Sequence, residues 1–248
     1  MRDLHTHTTY SDGKATPEQM VLAAIDKGLS EIGISDHSYT FFDQSYCMKK
    51  EEIEAYKAEI ASLKKKYEGR IKVLCGVEQD IYSRKSVKGY DYVIGSVHYL
   101  RVKGKYYPLD ESPKDFETLC EQGFGGDYYA LAEAYFSLVA RFAKRKSVSI
   151  VGHFDLITKF NEGGRLFDEN DPRYLSAAEK AIDRLLKAGK IFEINTGAVA
   201  RGYRTVPYPA SHLLFYLTER GGKTMLSGDA HTPETIAYAF DRFDHLVK

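Results

Sequence analysis

No sign of charge predominates in this chain: 35 Lys and Arg balance 35 Asp and Glu over 248 residues, for a formal net charge of zero. A protein without a global field is not recruited electrostatically to nucleic acid or to an anionic membrane surface, so neither is an expected partner. Cysteine is scarce as well. Cys47, Cys75 and Cys120 are odd in number and far apart, which argues against a disulfide framework or a zinc ribbon and fits a reducing cytoplasm. No apolar run approaches the roughly 18 residues that a membrane span needs. The start Met1-Arg2-Asp3-Leu4-His5 has no apolar signal core, so neither export nor membrane insertion is expected. Repeats, low-complexity tracts and interdomain linkers are also missing. A hydrophobic fraction of 43% is enough to build one sizeable core, and a single domain over 1–248 is expected.

What is present is an alternation of strand and helix signals. Thr16-Pro17-Glu18-Gln19 combines an N-cap, a proline at the first helical position and a Gln that completes a capping box; Gly28 then supplies a helix stop. Glu31 to Ser35 reads as a short buried strand, and a charged helix over about Lys49 to Tyr67 leads to a strand from Ile71 ending at Glu78. Tyr92 to Val97 is the next strand. Leu100 to Asp127, with Lys103-Gly104-Lys105, Pro108 and Pro113, reads as a loop carrying one short helix, whose Tyr106, Tyr107 and Phe116 are expected to pack on the body of the protein. Helical sequence follows over Asp127 to Lys146, then a strand over Val148 to Gly152 and a helix from Asp171-Pro172 to near Gly189. Ile191 to Asn195 and Lys223 to Ser227 follow, and with the extended segment at His5-Thr6-His7 they make seven strands. Regular alternation of this kind implies parallel strands covered by helices.

Each of these strands stays apolar until its end, where a side chain able to bind metal appears: His5 and His7, Asp36 and His37, Glu78, His98, His153, Asp229 and His231. In a barrel of parallel strands these ends share one mouth. His5-Thr6-His7 puts two imidazoles at i and i+2, on one side of an extended chain, and Asp229-Ala230-His231 repeats the spacing. Asp36 stands beside His37 as a carboxylate able to orient it. Six of the 8 histidines hold such positions, and burying so many polar rings together is costly unless a cation satisfies them. Imidazole and carboxylate donors without thiolate suit Zn, Mn or Fe, and their number exceeds what one tetrahedral ion uses, so two or three divalent transition-metal ions are expected. His212 and His245, in helical sequence, read as surface residues.

In this order the motifs resemble the polymerase and histidinol phosphatase (PHP) family. The resemblance runs through Asp3-Leu4-His5-Thr6-His7-Thr8, Tyr10-Ser11-Asp12-Gly13, Ser35-Asp36-His37, Gly76-Val77-Glu78, Gly95-Ser96-Val97-His98, Gly152-His153-Phe154-Asp155 and Ser227-Gly228-Asp229-Ala230-His231. It implies an α/β fold, a distorted (β/α)7 TIM-like barrel, with a trinuclear metal centre. By position, His5, His7, Glu78 and Asp229 would hold one metal, and Glu78, His98 and His153 a second, with Glu78 bridging. Asp12, His37 and His231 would hold the third, Asp12 standing where other branches carry His. Gly152 to Phe160 and Glu193 to Gly197, with Arg201 and Tyr208-Pro209, are most similar to the stand-alone histidinol-phosphate phosphatases of histidine biosynthesis, although Thr158 replaces an Arg common among them.

The chemistry this implies is hydrolysis of a small phosphate monoester, L-histidinol phosphate foremost, by a hydroxide shared between two cations. Arg201 and Arg204, in the loop after the sixth strand, and Lys159 are candidates to bind phosphate oxygens. Asp155 or His231 is the candidate acid for the leaving alkoxide. Rival readings are a PHP phosphodiesterase or exonuclease, a tyrosine phosphatase, a non-catalytic regulatory module that keeps the barrel, and a barrel amidohydrolase. The last shares His-X-His but needs a bridging lysine, and none stands at a strand end.

Overall fold

A computed structural model describes residues 1–248. Nine strands and eight α-helices follow in chain order: β1 Arg2–Asp3, α1 Pro17–Asp26, β2 Glu31–Ile34, α2 Ile53–Lys66, β3 Lys72–Asp80, β4 Tyr92–Ser96, β5 Tyr99–Val102, β6 Lys105–Pro108, α3 Pro113–Phe124, α4 Tyr128–Val139, β7 Ile150–Val151, α5 Pro172–Lys187, β8 Ile191–Asn195, α6 Gly197–Ala200, α7 Ser211–Glu219, β9 Lys223–Ser227 and α8 Phe240–Phe243. Seven of the strands form one parallel sheet in the order β1-β2-β3-β4-β7-β8-β9. The sheet curls until its two edges meet. Thr6 and Ala230 form an isolated parallel bridge, with the His7 amide donating to Ala230 O at 2.8 Å and the Ala230 amide donating to His5 O at 3.0 Å. The result is the distorted seven-stranded barrel that the alternation pointed to.

Three apolar bodies hold it together. Leu4, Ile94, Ile150 and Met225 plug the barrel interior, and the Tyr92 ring crosses its floor to donate to Leu4 O at 2.6 Å. A side chain at Gly33 or Gly76 would collide with that ring, which explains glycine inside two otherwise apolar strands. α1 and α2 cover β2 and β3 through Met20, Val21, Tyr56 and Ile60, while α4, α5 and α7 cover the far side through Phe136, Ile182 and Leu217. The α1 start follows its sequence signal: Thr16 accepts from the Gln19 amide and Gln19 returns the bond to the Thr16 amide.

The stretch after β4 differs from the expected loop. Tyr99–Val102 and Lys105–Pro108 pair antiparallel as a hairpin, and α3 adds 12 residues of helix. The two hairpin turn residues, Lys103 and Gly104, have φ values of 48° and 88°, the left-handed pair that a tight two-residue turn requires. Tyr106 stacks on Phe42 at 4.0 Å between ring centroids, and Phe116 is buried, so these aromatics pack as expected. β3 also runs two residues past Glu78, to Asp80. Cys47, Cys75 and Cys120 are unpaired and buried. No helix is long and apolar enough to cross a membrane.

Candidate metal centre

Chain direction gathers the site. Because the seven strands are parallel, their C-terminal ends open on one rim, and the expected residues sit on it: Glu78 within β3, His98 and His153 two residues beyond β4 and β7, and Asp229 two residues beyond β9. Buried carboxylates fix the segments that carry the others. Asp3 accepts from the amides of Gly228 (2.9 Å), Ala237 (2.9 Å) and His5 (3.2 Å), stapling the barrel seam beside His5 and Asp229. Asp36 accepts from the Thr8 amide and hydroxyl, both at 2.7 Å, and from the Ser11 hydroxyl at 2.5 Å. It therefore holds the loop that presents Asp12 and does not orient His37, as its place in the sequence had implied. Gly13 completes this loop, since a Cβ there would lie 2.5 Å from the His7 carbonyl.

Glu78 is the pivot, and its two oxygens face different partners. Oε2 lies 3.4 Å from His5 Nε2 and 3.6 Å from His7 Nε2. Asp229 Oδ1 closes that group at 3.7 and 3.3 Å from the same nitrogens. Oε1 lies 2.9 Å from His153 Nε2 and 3.4 Å from His98 Nε2, and the two Nε2 atoms face each other at 3.3 Å. A tetrahedral cation with donors at about 2.0–2.2 Å spaces those donors about 3.3–3.6 Å apart. Both groups approximate that spacing. A third group is looser: Asp12 Oδ2 is 3.2 Å from His231 Nε2, and Asp12 Oδ1 is 3.7 Å from His37 Nε2 and 3.8 Å from His7 Nδ1. His37 is shared, because its Nδ1 also approaches Glu78 Oε2 at 2.7 Å.

These donors fit cations better than they fit one another. His5 Nε2 and both nitrogens of His7 are buried without a hydrogen-bond partner, a costly state for three atoms in one place. Burial alone would raise the Glu78 carboxyl, but His37, His5 and His98 outweigh it and hold the group well below the usual carboxylate range. Burial lowers His5, yet Glu193, Glu78 and Asp229 overturn this and raise it well above an ordinary imidazole. The carboxylates thus create a field that calls for positive charge where His5 points. Asp229 has φ of 49°, a left-handed backbone seldom tolerated outside glycine and typical of functional sites.

Glu193 was not among the expected site residues, although the segment Glu193 to Gly197 carried part of the resemblance. It lies mid-strand in β8, and its Oε1 accepts from His5 Nδ1 at 2.8 Å and from Ser227 Oγ at 2.9 Å, while Oε2 accepts from the His153 amide and Asn195 Nδ2, both at 3.1 Å. This bond fixes the tautomer of His5 and leaves Nε2 free as a donor to metal. A lone carboxylate in an otherwise apolar buried strand was its only chemical signal.

The mouth is a cavity of about 340 Å³ lined by Asp12, His37, His98, His153, Asp229 and His231 together with Arg201 and Lys159. Three larger grooves, about 480, 750 and 590 Å³, lie on the outside of the barrel and contain none of the histidines. Lys159 reaches Asp110 O at 2.6 Å, and Arg201 reaches Asp229 Oδ2 at 3.0 Å. Arg204 does not enter the mouth. Its guanidinium is buried against Thr158 O (2.9 Å), Glu162 (3.3 Å) and Glu169 (3.4 Å). Asp155 is also interior, fully buried, with Oδ2 accepting from the Ala210 amide at 2.9 Å. Burial pushes its carboxyl up to about 7. Thr158 is buried behind the mouth, His212 is half-buried, where a surface position was expected, and His245 is exposed.

Comparison with known proteins agrees with this arrangement. Residues 3–197 match the family described as PHP domain. The chain belongs to the PHP family. Among curated PHP relatives, a Deinococcus radiodurans protein named "Probable histidinol-phosphatase" is 33% identical over 96% of this chain and 89% of its own length. Among solved structures, a histidinol phosphatase candidate from Listeria monocytogenes superposes with a TM-score of 0.84, at 21% identity, covering 98% of this chain and 100% of that one. The Lactococcus lactis histidinol phosphate phosphatase, solved with zinc, L-histidinol and phosphate, gives 0.70 at 21% identity, over 99% of this chain and 93% of that one. At such identities the superpositions establish the barrel, and the site rests on the residues above.

Proposed function

We propose that this protein is a metal-dependent phosphomonoesterase that hydrolyses L-histidinol phosphate to L-histidinol and phosphate. One observation carries the reading: Glu78 divides its oxygens between two donor groups spaced for cations, and His98, His153 and Asp229 of those groups line a cavity sized for a small molecule. The residues proposed to hold the metals are His5, His7, Glu78 and Asp229 for the first, Glu78, His98 and His153 for the second, and Asp12, His37 and His231 for a third. Divalent ions bound there would supply the Lewis acidity and the acidified water that phosphate ester hydrolysis needs. The relatives' names favour histidinol phosphate among monoesters.

The chain's own residues then have separate tasks. Arg201 and Lys159, both on the cavity wall, offer positive charge to the phosphate oxygens. His231, also on that wall with Nδ1 2.9 Å from Asp229 O, turns its Nε2 towards Asp12, which supports a part in holding the third cation over the part of proton donor. The buried, engaged positions of Asp155 and Arg204 give them a supporting role in the fold.

The test is a phosphate-release assay on chelator-treated protein before and after divalent metal is returned, with histidinol phosphate, other monoesters and a dinucleotide as substrates. Metal-dependent turnover with preference for histidinol phosphate is expected. Release from no monoester by metal-loaded protein overturns the reading, and turnover of the dinucleotide alone makes it a phosphodiesterase.

A further inference from the structure

The Arg201 guanidinium is already engaged before any substrate arrives. Nη2 lies 3.0 Å from Asp229 Oδ2, and Nη1 donates to the Asp229 carbonyl at 3.1 Å. The other carboxylate oxygen, Oδ1, is the one that faces His5 and His7. Asp229 is therefore split: one oxygen looks into the metal group and the other is held away from it. Its left-handed backbone is gripped at the same time, because the Arg201 fork takes the carbonyl and the carboxylate together.

The local fold is shaped to permit this. α6 is a single turn, Gly197–Ala200, that ends at Arg201 and aims the side chain back at β9. A Cβ on Gly197 would come within 2.8 Å of Asp229 Oδ2 and 2.9 Å of Arg201 Nη2. Only glycine lets the turn sit against the Asp229–Arg201 pair. His231 is drawn into the same knot, with Nδ1 2.9 Å from the Asp229 carbonyl and 3.3 Å from Arg201 Nη1. A guanidinium only donates, so the closer carbonyl is the partner for an Nδ1 proton. That tautomer turns a free Nε2 lone pair towards Asp12.

We propose that Arg201 is a positioning residue that confines Asp229 to ligation through one oxygen and thereby sets the cation affinity of the His5–His7–Glu78–Asp229 group. The consequence for chemistry is coordination number. His5, His7, Glu78 and one oxygen of Asp229 already make four donors, and a second Asp229 oxygen would take the place that water or substrate needs. Arg201 keeps that place open, and its outward N–H groups still face the cavity. This inference rests on the metallohydrolase reading but is measurable without turnover.

The experiment is a chelator-competition titration with Zn²⁺ in the absence of substrate, on wild type, Arg201→Gln, Arg201→Lys and Gly197→Ala, with circular dichroism to check folding and kinetics at graded zinc. Arg201→Gln is expected to weaken Zn²⁺ binding roughly 10–100-fold, the usual effect of removing a group that orients a ligand. Arg201→Lys, which cannot grip both Asp229 oxygens at once, falls between it and wild type. Gly197→Ala keeps the guanidinium but wedges a methyl into the pair, and should lose affinity with Arg201 present. Excess zinc then restores turnover in Gly197→Ala, whereas Arg201→Gln, even zinc-saturated, keeps the deficit of a lost phosphate contact. Folded Arg201→Gln and Gly197→Ala proteins that bind Zn²⁺ within twofold of wild type overturn the proposal. A wild type that binds Zn²⁺ but releases no phosphate overturns the phosphatase reading instead, leaving the affinity comparison intact.

Discussion

Replacing Glu193 by Gln changes one atom's chemistry and almost no volume, yet the surroundings of Glu193 leave it no good orientation. All four bonds to the carboxylate are accepted: from His5 and Ser227 at Oε1, and from the His153 amide and Asn195 at Oε2. A glutamine NH2 placed at the second position opposes two donors with a donor. Placed at the first, it forces His5 to accept at Nδ1, which puts the ring proton on Nε2 and blocks the lone pair aimed at the metal group. Either way a buried donor is left without an acceptor, at about 1–3 kcal/mol, and loss of the orienting carboxylate costs roughly 10–100-fold in metal affinity, or about 1.4–2.8 kcal/mol. Urea unfolding of metal-free protein reads the first quantity, and chelator competition reads the second. Metal affinity within twofold of wild type in a folded Glu193→Gln protein refutes the assignment of Glu193 as the group that fixes His5.

Other substitutions separate fold from site. Gly13→Ala drives a methyl into the His7 carbonyl and is expected to cost about 1–3 kcal/mol, seen as a lower midpoint in denaturant together with weaker metal binding. An unchanged midpoint would show that the loop gives way. Arg204→Met should destabilise by about 1–3 kcal/mol, because it leaves half-buried Glu169 without its cation; KM of the remaining folded enzyme should hold, and a raised KM would return Arg204 to the substrate. Burial pushes the Cys75 thiol up to about 12 and the Cys120 thiol up to about 11. As the thiolate is the reactive form, a disulfide reagent at pH 8 should leave both untouched until denaturant is added, and rapid labelling of native protein would contradict the packing.

The barrel was legible in the chain because most of its seven strands are short apolar runs leading into a polar ligand, and that pattern survives folding intact. Helix starts such as Thr16-Pro17 were equally plain, since capping is local chemistry. The hairpin of β5 and β6 was not. Its turn is Lys103-Gly104 where Asn-Gly or Asp-Gly would announce a tight turn, and Pro108 in the second strand resembles a loop residue. For the site, position along the chain located the rim but not the direction each side chain takes from it. Asp155 follows His153 by two residues and still turns into the interior, and Arg204 follows Arg201 by three and closes on Glu162 and Glu169. Asp36 was assigned by adjacency to His37, whereas its oxygens are taken by Thr8 and Ser11. Glu193 heads a segment that was singled out by resemblance and not by its chemistry, and its role exists only because β8 runs beside β9 and faces His5 across the barrel.

The edge-to-edge bridge between Thr6 and Ala230 joins sequence neighbours of His5 and His7 to those of Asp229 and His231. During synthesis His5 and His7 therefore exist some 220 residues before the Asp229 that completes their ligand group. Until then the barrel is a curved sheet with two open margins and no place for an ion to be enclosed. Joining of those margins and completion of the first ligand group bring the same residues together, and a cation held there would act as a rivet between segments far apart in the chain.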